Sequence, residues 1–353
     1  MTVTYPTDTR SGESRAALKA AVANFQTPTI AASAWQIATS FGPYLLVVVA
    51  MYQSLQIEAW WGYGVTLGLA VLAAGFAVRI FIIQHDCGHG SYFRSPWANT
   101  ITGFICGVIT FTPFANWRRQ HAGHHGNWNN LDRRASGADI YSTCMTLSEY
   151  RAMTPGEQFR YRLVRHPVIY LFALPPLVFL VIYRFAFDTP KDWQKERMAV
   201  HANNAILLAA FVGLGLLLGF GNVLAVHLPI VIAMSIIGVF LFSVQHRFEE
   251  TLWMRGDAWN AVDASLKGSS FLKLPRVLQW FTGNIGFHHI HHLNSRIPNY
   301  RLQACHEAIP ELRAVPEMTL GMAFANGANA LWDEAGERMV SFRDAVALQH
   351  ALA

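Results

Sequence analysis

Four long apolar segments constrain the fold more than any other feature of this sequence. They lie at Trp35–Leu55, Trp60–Ile83, Asn203–Phe220 and Val223–Gln245. A helix needs about 20 apolar residues to cross about 30 Å of hydrocarbon, and each segment is close to that length. Charged residues make up only 14% of the 353 residues, against roughly 25% in an ordinary globular domain. The sequence therefore predicts an all-α polytopic membrane protein with about four transmembrane helices.

The links between these segments predict two helical hairpins. Gln56–Ala59 joins the first pair, and Gly221–Asn222 joins the second pair. Neither link contains lysine or arginine, the residues that concentrate in loops on the cytoplasmic side of a membrane. We therefore expect both links to face away from the cytoplasm.

Histidines cluster in three short stretches beside the apolar segments. The spacing is HxxxH in the first stretch and HxxHH in the other two, and the residues are His85, His89, His121, His124, His125, His288, His291 and His292. Residues at i, i+3 and i+4 share one face of a helix, so each stretch can present its imidazoles together. His289 directly follows His288 on the helix, so its side chain should point away from the face that carries His288, His291 and His292.

Eight candidate imidazoles exceed the ligands that one metal ion needs, and they therefore predict two ions. Imidazole nitrogen suits iron, zinc, copper or nickel. The chain has no HExxH motif, so the zinc-protease interpretation lacks its general base, and no glycine-rich nucleotide motif occurs. His246, at the end of the fourth apolar segment, is a ninth candidate. By position alone, a lone histidine there is more often a hydrogen-bonding residue than a metal ligand.

Two further apolar segments, Trp97–Phe114 and Pro167–Phe187, are ambiguous by length. If either crossed the membrane once, histidine clusters that must meet would emerge on opposite sides. We therefore predict that both are re-entrant or interfacial helices. Pro175 and Pro176 mark the expected helix break in the second segment.

The organisation along the chain predicts one membrane domain, 1–353. Residues 1–32 form a polar cytoplasmic lead-in that lies on the membrane surface or stays solvated. Residues 33–250 contain the spans and the first two histidine clusters, and residues 251–353 form a cytoplasmic helical cap and tail with the third cluster. The formal net charge of +5 is modest and does not suggest a nucleic-acid partner.

The sequence resembles the membrane fatty acid desaturases, which carry three histidine boxes. The matching stretches are Gln84–His89, Gln120–His125 and Phe287–His292. The surroundings are closest to bacterial acyl-lipid desaturases of the Δ5 type, through Gly268–Phe271, Lys273–Pro275, Leu278–Gly286, Arg296–Tyr300, Val244–His246 and Leu331–Glu334. The HPGG motif of a fused cytochrome b5 domain is absent from this sequence.

This resemblance implies a non-haem diiron centre that uses O₂ to insert a cis double bond into a fatty acyl chain. It favours His246 as the ninth iron ligand. It also implies an external electron carrier such as a ferredoxin, a flavodoxin or a cytochrome b5-type protein. The acyl chain would be carried by a membrane phospholipid or another acyl carrier. We expect the protein in the bacterial cytoplasmic (inner) membrane, with its histidine boxes on the cytoplasmic side.

Several further residues are candidates for supporting roles. Carboxylate or imidazole groups that could orient the metal ligands are Asp86, Asp139, Glu249 and His289. Asn284 lies four residues before His288 and could bind a metal-bound water or cap the helix of the third cluster. Trp117, Trp128 and Trp280 could line an acyl tunnel, or they could be ordinary tryptophans of the membrane interface.

Two alternative functions remain open from the sequence. A hydroxylase, epoxidase, acetylenase or ketolase on the same scaffold would use the same ligand spacing. A membrane metal transporter would need polar groups within the spans, but the apolar segments are nearly free of charge.

Overall fold

Four long helices dominate the computed structural model, which describes residues 12–134, 143–315 and 317–351. They are α2 (Ile30–Ser54), α3 (Trp61–His89), α9 (Gln194–Leu218) and α10 (Phe220–Val244). Each is long and apolar enough to cross a membrane, with a mean hydropathy of 1.4 to 2.5 over its most apolar window. The four predicted transmembrane helices are therefore confirmed. α3 lies at the centre, where it packs against α2 and α10.

The second hairpin turns at one residue, so the expected link at Gly221–Asn222 was wrong. α9 ends at Leu218, and α10 already begins at Phe220. Gly219 adopts φ +88°, a conformation that glycine reaches without steric cost. The Asn222 side chain then donates a hydrogen bond of 2.8 Å to the Leu218 carbonyl and caps the end of α9.

The second membrane helix is longer than expected. The sequence placed its end at Ile83, but α3 continues to His89 and stops at Gly90, which has φ +68°. A glycine in this left-handed conformation is a common helix terminator, and no proline lies between Ile83 and Gly90. The first histidine cluster therefore lies on the last turns of α3 rather than beyond the membrane helix.

Two pairs of shorter helices are sharply bent where the sequence predicted re-entrant segments. α4 (Pro96–Ile109) and α5 (Phe114–Asn127) meet at 104°. α7 (Pro155–Val164) meets the segment Ile169–Arg184 at 54°. Gly107 allows the first bend, because a Cβ atom there would stand 2.5 Å from the Thr112 carbonyl oxygen.

The segment after α7 breaks upstream of the position that the two prolines suggested. A π-helical turn covers Ile169–Ala173 and leads directly into α8 (Leu174–Leu180), followed by a 3₁₀ turn at Ile182–Arg184. The prolines occupy the first turn of α8, where a missing backbone N–H costs no helical hydrogen bond. The 54° bend therefore falls before Ile169 and not at Pro175 and Pro176.

The rest of the described chain forms a cap of short helices and strands. Its helices are α6 (Leu147–Ala152), α11 (Ala261–Gly268), α12 (Arg276–Phe281), α13 (His288–Leu293), α14 (Asn299–Ala308), α15 (Pro310–Arg313), α16 (Leu320–Asn326) and α17 (Phe342–Ala351). Its strands are β1 (Met145–Thr146), β2 (Phe271–Leu272), β3 (Glu317–Met318), β4 (Asn329–Asp333) and β5 (Arg338–Ser341). β4 pairs antiparallel with β5 and parallel with β1, and β2 pairs parallel with β3. The cap is mainly helical, as expected, and these short strands are an addition to the prediction.

The lead-in belongs to the cap. Helix α1 (Gly12–Ala23) buries Leu18 and Val22 in the same apolar cluster as Ile290 of α13. Arg15 Nη2 lies 2.8 Å from Asp263 Oδ2. Of the two alternatives from the sequence, a membrane-surface helix or a solvated tail, the docked helix contradicts the solvated tail. α1 thus supports the helix that carries the third histidine cluster.

Candidate metal centre

All nine candidate histidines meet in the interior. Ring nitrogens form a five-histidine group of His85, His89, His121, His125 and His291, and a three-histidine group of His124, His246 and His292. Within each group the nitrogens that could bind a metal lie within 4.8 Å of one another. His288 joins the three-histidine group through its Nε2 atom, which lies 2.9 Å from His246 Nε2.

Each HxxHH stretch contributes to both groups. On α5, His121 and His125 face the five-histidine group, and His124 faces the other. On α13, His291 faces the five-histidine group and His292 faces the three-histidine group. Successive residues of a helix are rotated by about 100°, so the adjacent histidines in HxxHH point in different directions. The two helices therefore bridge the two groups.

The close approach of these nitrogens suits metal ions. His125 Nε2 lies 3.2 Å from His121 Nε2 and 3.0 Å from His291 Nε2. His246 Nε2 lies 3.2 Å from His292 Nε2. A neutral imidazole has only one N–H, so several ring nitrogens that converge on one point cannot all be paired with one another by hydrogen bonds. Cations held between the lone pairs would remove this conflict, and the residues present therefore fit two metal ions.

Burial disfavours the charged form of the imidazoles on α13 and just after α10. Desolvation, followed by the neighbouring imidazoles, lowers the pKa of His246, His288, His291 and His292 well below the usual range of histidine. A neutral ring has a free lone pair at neutral pH, which is the form that binds a metal. The burial of His246, whose exposure is 0%, also separates it from an ordinary interface histidine.

Asp86 is the candidate carboxylate that contacts a histidine of the site. Its Oδ1 atom lies 3.3 Å from His85 Nδ1. Its Oδ2 atom accepts hydrogen bonds from the backbone N–H and side-chain amide of Asn299, at 2.7 and 2.8 Å. Gln36 of α2 in turn donates to Asn299 Oδ1 at 2.9 Å. This buried chain orients His85 and joins α2, α3 and α14, and the sequence analysis had missed Gln36 and Asn299.

The other supporting candidates lie in different surroundings. Glu249 is exposed and faces Arg338 Nη1 at 3.4 Å, and Asp139 lies outside the described residues. His289 belongs to neither histidine group, and its ring lies 5.6 Å from that of His306. Burial lowers the pKa of His289 to about 3. Its position agrees with the expectation that His289 points away from the metal.

Asn284 helps to build the turn before the third cluster. It adopts φ +58°, directly after Gly283 at φ +53°. Its Oδ1 atom accepts from Gln279 at 2.9 Å, and its Nδ2 atom donates to the Asn299 carbonyl at 3.2 Å. The suggestion that Asn284 caps the helix was wrong, because Phe287 occupies the N-cap position of α13.

An apolar cavity of 350 Å³ ends at the histidines. It lies between α3, α5, α8 and α10, and its walls include His85, His121, His124 and His288. Trp117 lines it and stacks on His121 with ring centres 4.7 Å apart. Trp128 instead packs 3.8 Å from the ring of His246, and Trp280 lies 4.0 Å beneath the Arg79 guanidinium. Of the three suggested tunnel tryptophans, only Trp117 lies on this cavity.

One face of α10 forms a cavity wall that the sequence analysis did not identify. The residues on this face are Met234, Gly238, Val239, Leu241, Phe242 and Gln245. Spacings of four and three residues place them along one side of a helix, a signal that was present in the sequence. Gln120 and Asp188 add a polar part to the lining and are joined by a 3.3 Å hydrogen bond.

The fold and the site together define a membrane protein with a buried polyhistidine metal site at the end of an apolar cavity. Residues 58–324 match the family model described as "Fatty acid desaturase". The chain is 40% identical over 322 residues to a "Fatty acid desaturase" of Bacillus subtilis (strain 168), covering 91% of this chain and 89% of that protein. The chain therefore belongs to the fatty acid desaturase family and is an oxidoreductase.

More distant relatives have more specific names. An "sn-1 oleoyl-lipid 12-desaturase" from a Picosynechococcus species is 27% identical over 277 residues, 78% of this chain and 74% of that protein. An "sn-1 acyl-lipid omega-3 desaturase (ferredoxin)" from a Synechocystis species is 30% identical over 237 residues, 65% of this chain and 63% of that protein. These relatives act on acyl chains carried by lipids, according to their names.

Proposed function

We propose that this protein inserts a cis double bond into the acyl chain of a membrane lipid, at two iron ions held by the nine histidines. The observation that carries the proposal is the apolar cavity, which ends on four of these histidines. The names of the cyanobacterial relatives support a lipid-linked substrate.

Iron is the metal that best combines the ligands with the reaction. Imidazole binds iron, zinc, copper and nickel, but zinc has no redox chemistry. When bound, two irons would supply the O₂ chemistry that removes hydrogen from an unactivated carbon. The five-histidine group would hold one ion, and the three-histidine group with His288 would hold the other. Asp86 would keep His85 in the tautomer whose Nε2 lone pair is free.

The cavity walls provide orientation and exclude water. Phe81, Phe179 and Phe242 would hold the acyl chain so that two adjacent methylenes lie beside the histidines. Each of the two carbons loses one hydrogen atom. An outside carrier supplies two electrons and the solvent supplies two protons, so that O₂ is reduced to two waters. The apolar lining would shield the reacting carbon from side reactions with water.

The protein would act in the cytoplasmic membrane of a bacterium, as one domain with its cap in the cytoplasm. Four apolar helices and links without lysine or arginine support this orientation. A soluble carrier such as a ferredoxin, a flavodoxin or a cytochrome b5-type protein would reach the metal centre from that side. The word "ferredoxin" in the name of the Synechocystis relative supports this class of partner.

Expression in a bacterium that lacks the enzyme would test the proposal. Gas chromatography of the membrane fatty acids should show new monounsaturated chains, absent from cells that express His124→Ala. Chains that carry only hydroxyl, epoxide or keto groups, or a triple bond, would reject desaturation and identify another reaction of the same scaffold.

A further inference from the structure

The metal centre approaches the protein surface along one edge. His89, His125 and His292 are half-buried, whereas the other six candidate ligands are buried. The exposed residues beside this edge include Gly90, Ala122 and Gly126. Such small residues leave room for another molecule to come close to the histidine rings.

The two sequence segments that contain most of the histidines carry basic residues and no acidic ones. Segments 87–131 and 264–306 contain seven of the nine histidines and no aspartate or glutamate. Their basic residues are Arg94, Arg118, Arg119, Lys267, Lys273, Arg276, Arg296 and Arg301. The 22 acidic residues of the chain all lie outside these two segments, and two of them, Glu196 and Glu317, pair in the fold with Arg119 and Lys273.

Four of these arginines, Arg94, Arg118, Arg276 and Arg296, are exposed and have no carboxylate partner within residues 12–134, 143–315 and 317–351. Arg94, Arg118 and Arg296 are the three that lie beside a histidine stretch. Arg118 packs beside Gly88, the residue before His89. Arg296 lies four residues after His292 and three residues after the end of α13. By contrast, Arg119 is engaged with Glu196 at 3.1 Å.

We propose that Arg94, Arg118 and Arg296, near the half-buried His89 and His292, form a basic face that docks the electron carrier, and that the carrier is a small acidic protein. The inference rests on the proposed function, which requires two electrons from outside. Complementary charge speeds and orients the encounter, and the half-buried histidines give the carrier its shortest approach to the metal centre.

Charge reversal on the purified full-length enzyme tests the docking face. Arg118→Glu and Arg296→Glu are compared with Arg343→Glu, which changes an exposed arginine of α17 outside the two segments. Desaturation is driven by a reduced acidic [2Fe–2S] ferredoxin in nanodiscs of zwitterionic lipid. We expect the rate at low ferredoxin concentration to fall about tenfold or more in the first two variants, and the salt dependence to weaken. Arg343→Glu should match the unchanged enzyme.

A second reductant separates docking from catalysis. Each enzyme is reduced with dithionite without oxygen, freed of excess dithionite and then mixed with O₂. The single-turnover yield and the iron content should be equal in all variants. Equal ferredoxin-driven rates in the three variants would overturn the docking face. A loss that appears only in nanodiscs with anionic lipid would also overturn it, because the arginines would then contact headgroups. If the unchanged enzyme, reduced in this way, makes no unsaturated product after O₂ is added, the proposed function itself fails.

Discussion

The spacing of the histidines along each helix determines which nitrogen group each side chain faces. His291 and His292 are adjacent in sequence, yet they face different nitrogen groups because a helix rotates them apart. His246 differs from these residues because it lies outside the three histidine stretches. Its position in the sequence says little about its role, which is indicated instead by the histidines that surround it in the fold. Each ligand should therefore affect mainly one of the two metal ions.

Single alanine substitutions should separate the two ions. His291→Ala removes a nitrogen from the five-histidine group, and His246→Ala removes one from the three-histidine group. We expect the unchanged enzyme to bind about two irons per chain, each variant to bind fewer, and both variants to be inactive. Elemental analysis by mass spectrometry measures this loss. His201→Ala, at an exposed position of α9, is the control. Full iron content and activity in either ligand variant would reject its assignment.

Asp86 should act through His85. Asp86→Asn keeps the size of the side chain but removes the negative charge beside His85 Nδ1. Because such partners orient a ligand and raise its basicity, we expect iron affinity to fall about 10- to 100-fold. Titration with a competing chelator measures the affinity. Asp132→Asn, which changes a surface carboxylate paired with Arg255, should have no such effect. An unchanged affinity in Asp86→Asn would show that the contact with His85 is incidental.

Among the helices, α10 links the membrane interior to the metal site. It leads to His246 just beyond its C-terminal end and forms one wall of the cavity. Gly238 stands on this wall, and a Cβ atom added there would meet no other atom within 4 Å. It lies roughly 12 Å along the helix from His246, given a rise of 1.5 Å per residue. This glycine therefore leaves space for the acyl chain well below the histidines.

A larger side chain at Gly238 should shorten the cavity without disturbing the fold. Gly238→Leu is expected to shift the product profile toward shorter acyl chains. For an acyl chain that is too long by one methylene, the rate should fall about tenfold or more. Gas chromatography of products from chains of different length measures this shift. Gly213→Leu, on the exposed surface of α9, is the matched control. If Gly238→Leu leaves the profile unchanged, the acyl chain does not extend to this level.

On the scale of the whole molecule, the metal centre joins elements that are far apart in sequence. α3 and α5 enter from the membrane part, His246 follows α10, and α13 enters from the cap. α1 packs behind α13, and the bonds of Asp86 and Asn299 connect α3 with α14. Metal binding should therefore stabilise the packing of the cap on the membrane part.

Iron removal should lower thermal stability. A ligand that binds only the folded state stabilises it by about 2.7 kcal/mol when its concentration is 100 times Kd. We expect a chelator to lower the Tm of the purified protein by several degrees, and added Fe²⁺ to restore it. Thermal unfolding in detergent, followed by intrinsic tryptophan fluorescence, measures the change. The His246→Ala/His291→Ala double variant should show little response to chelator. An equal response in that variant would mean that iron acts elsewhere.

Local patterns in the sequence were sufficient for the membrane helices and the eight histidines of the three boxes. Length and hydropathy identify a span, and helical spacing identifies a shared face, because both properties depend on neighbouring residues alone. The apolar face of α10 belongs to this kind of information too, although the sequence analysis did not use it. The ends of α3 and α9 were less certain, since they depend on the conformation of single glycines.

The division of the histidines into two groups, the burial of His246 and the Asp86–Asn299–Gln36 hydrogen bonds depended on the tertiary structure. So did the placement of Trp117 on the cavity and of Trp128 behind His246. These features join residues up to 263 positions apart, as in the bond between Gln36 and Asn299. The sequence by itself determined a membrane protein with three histidine stretches that can each present their imidazoles together. Only the packing of helices decided which ring nitrogens lie in the same group, because that depends on crossing angles that no local pattern encodes.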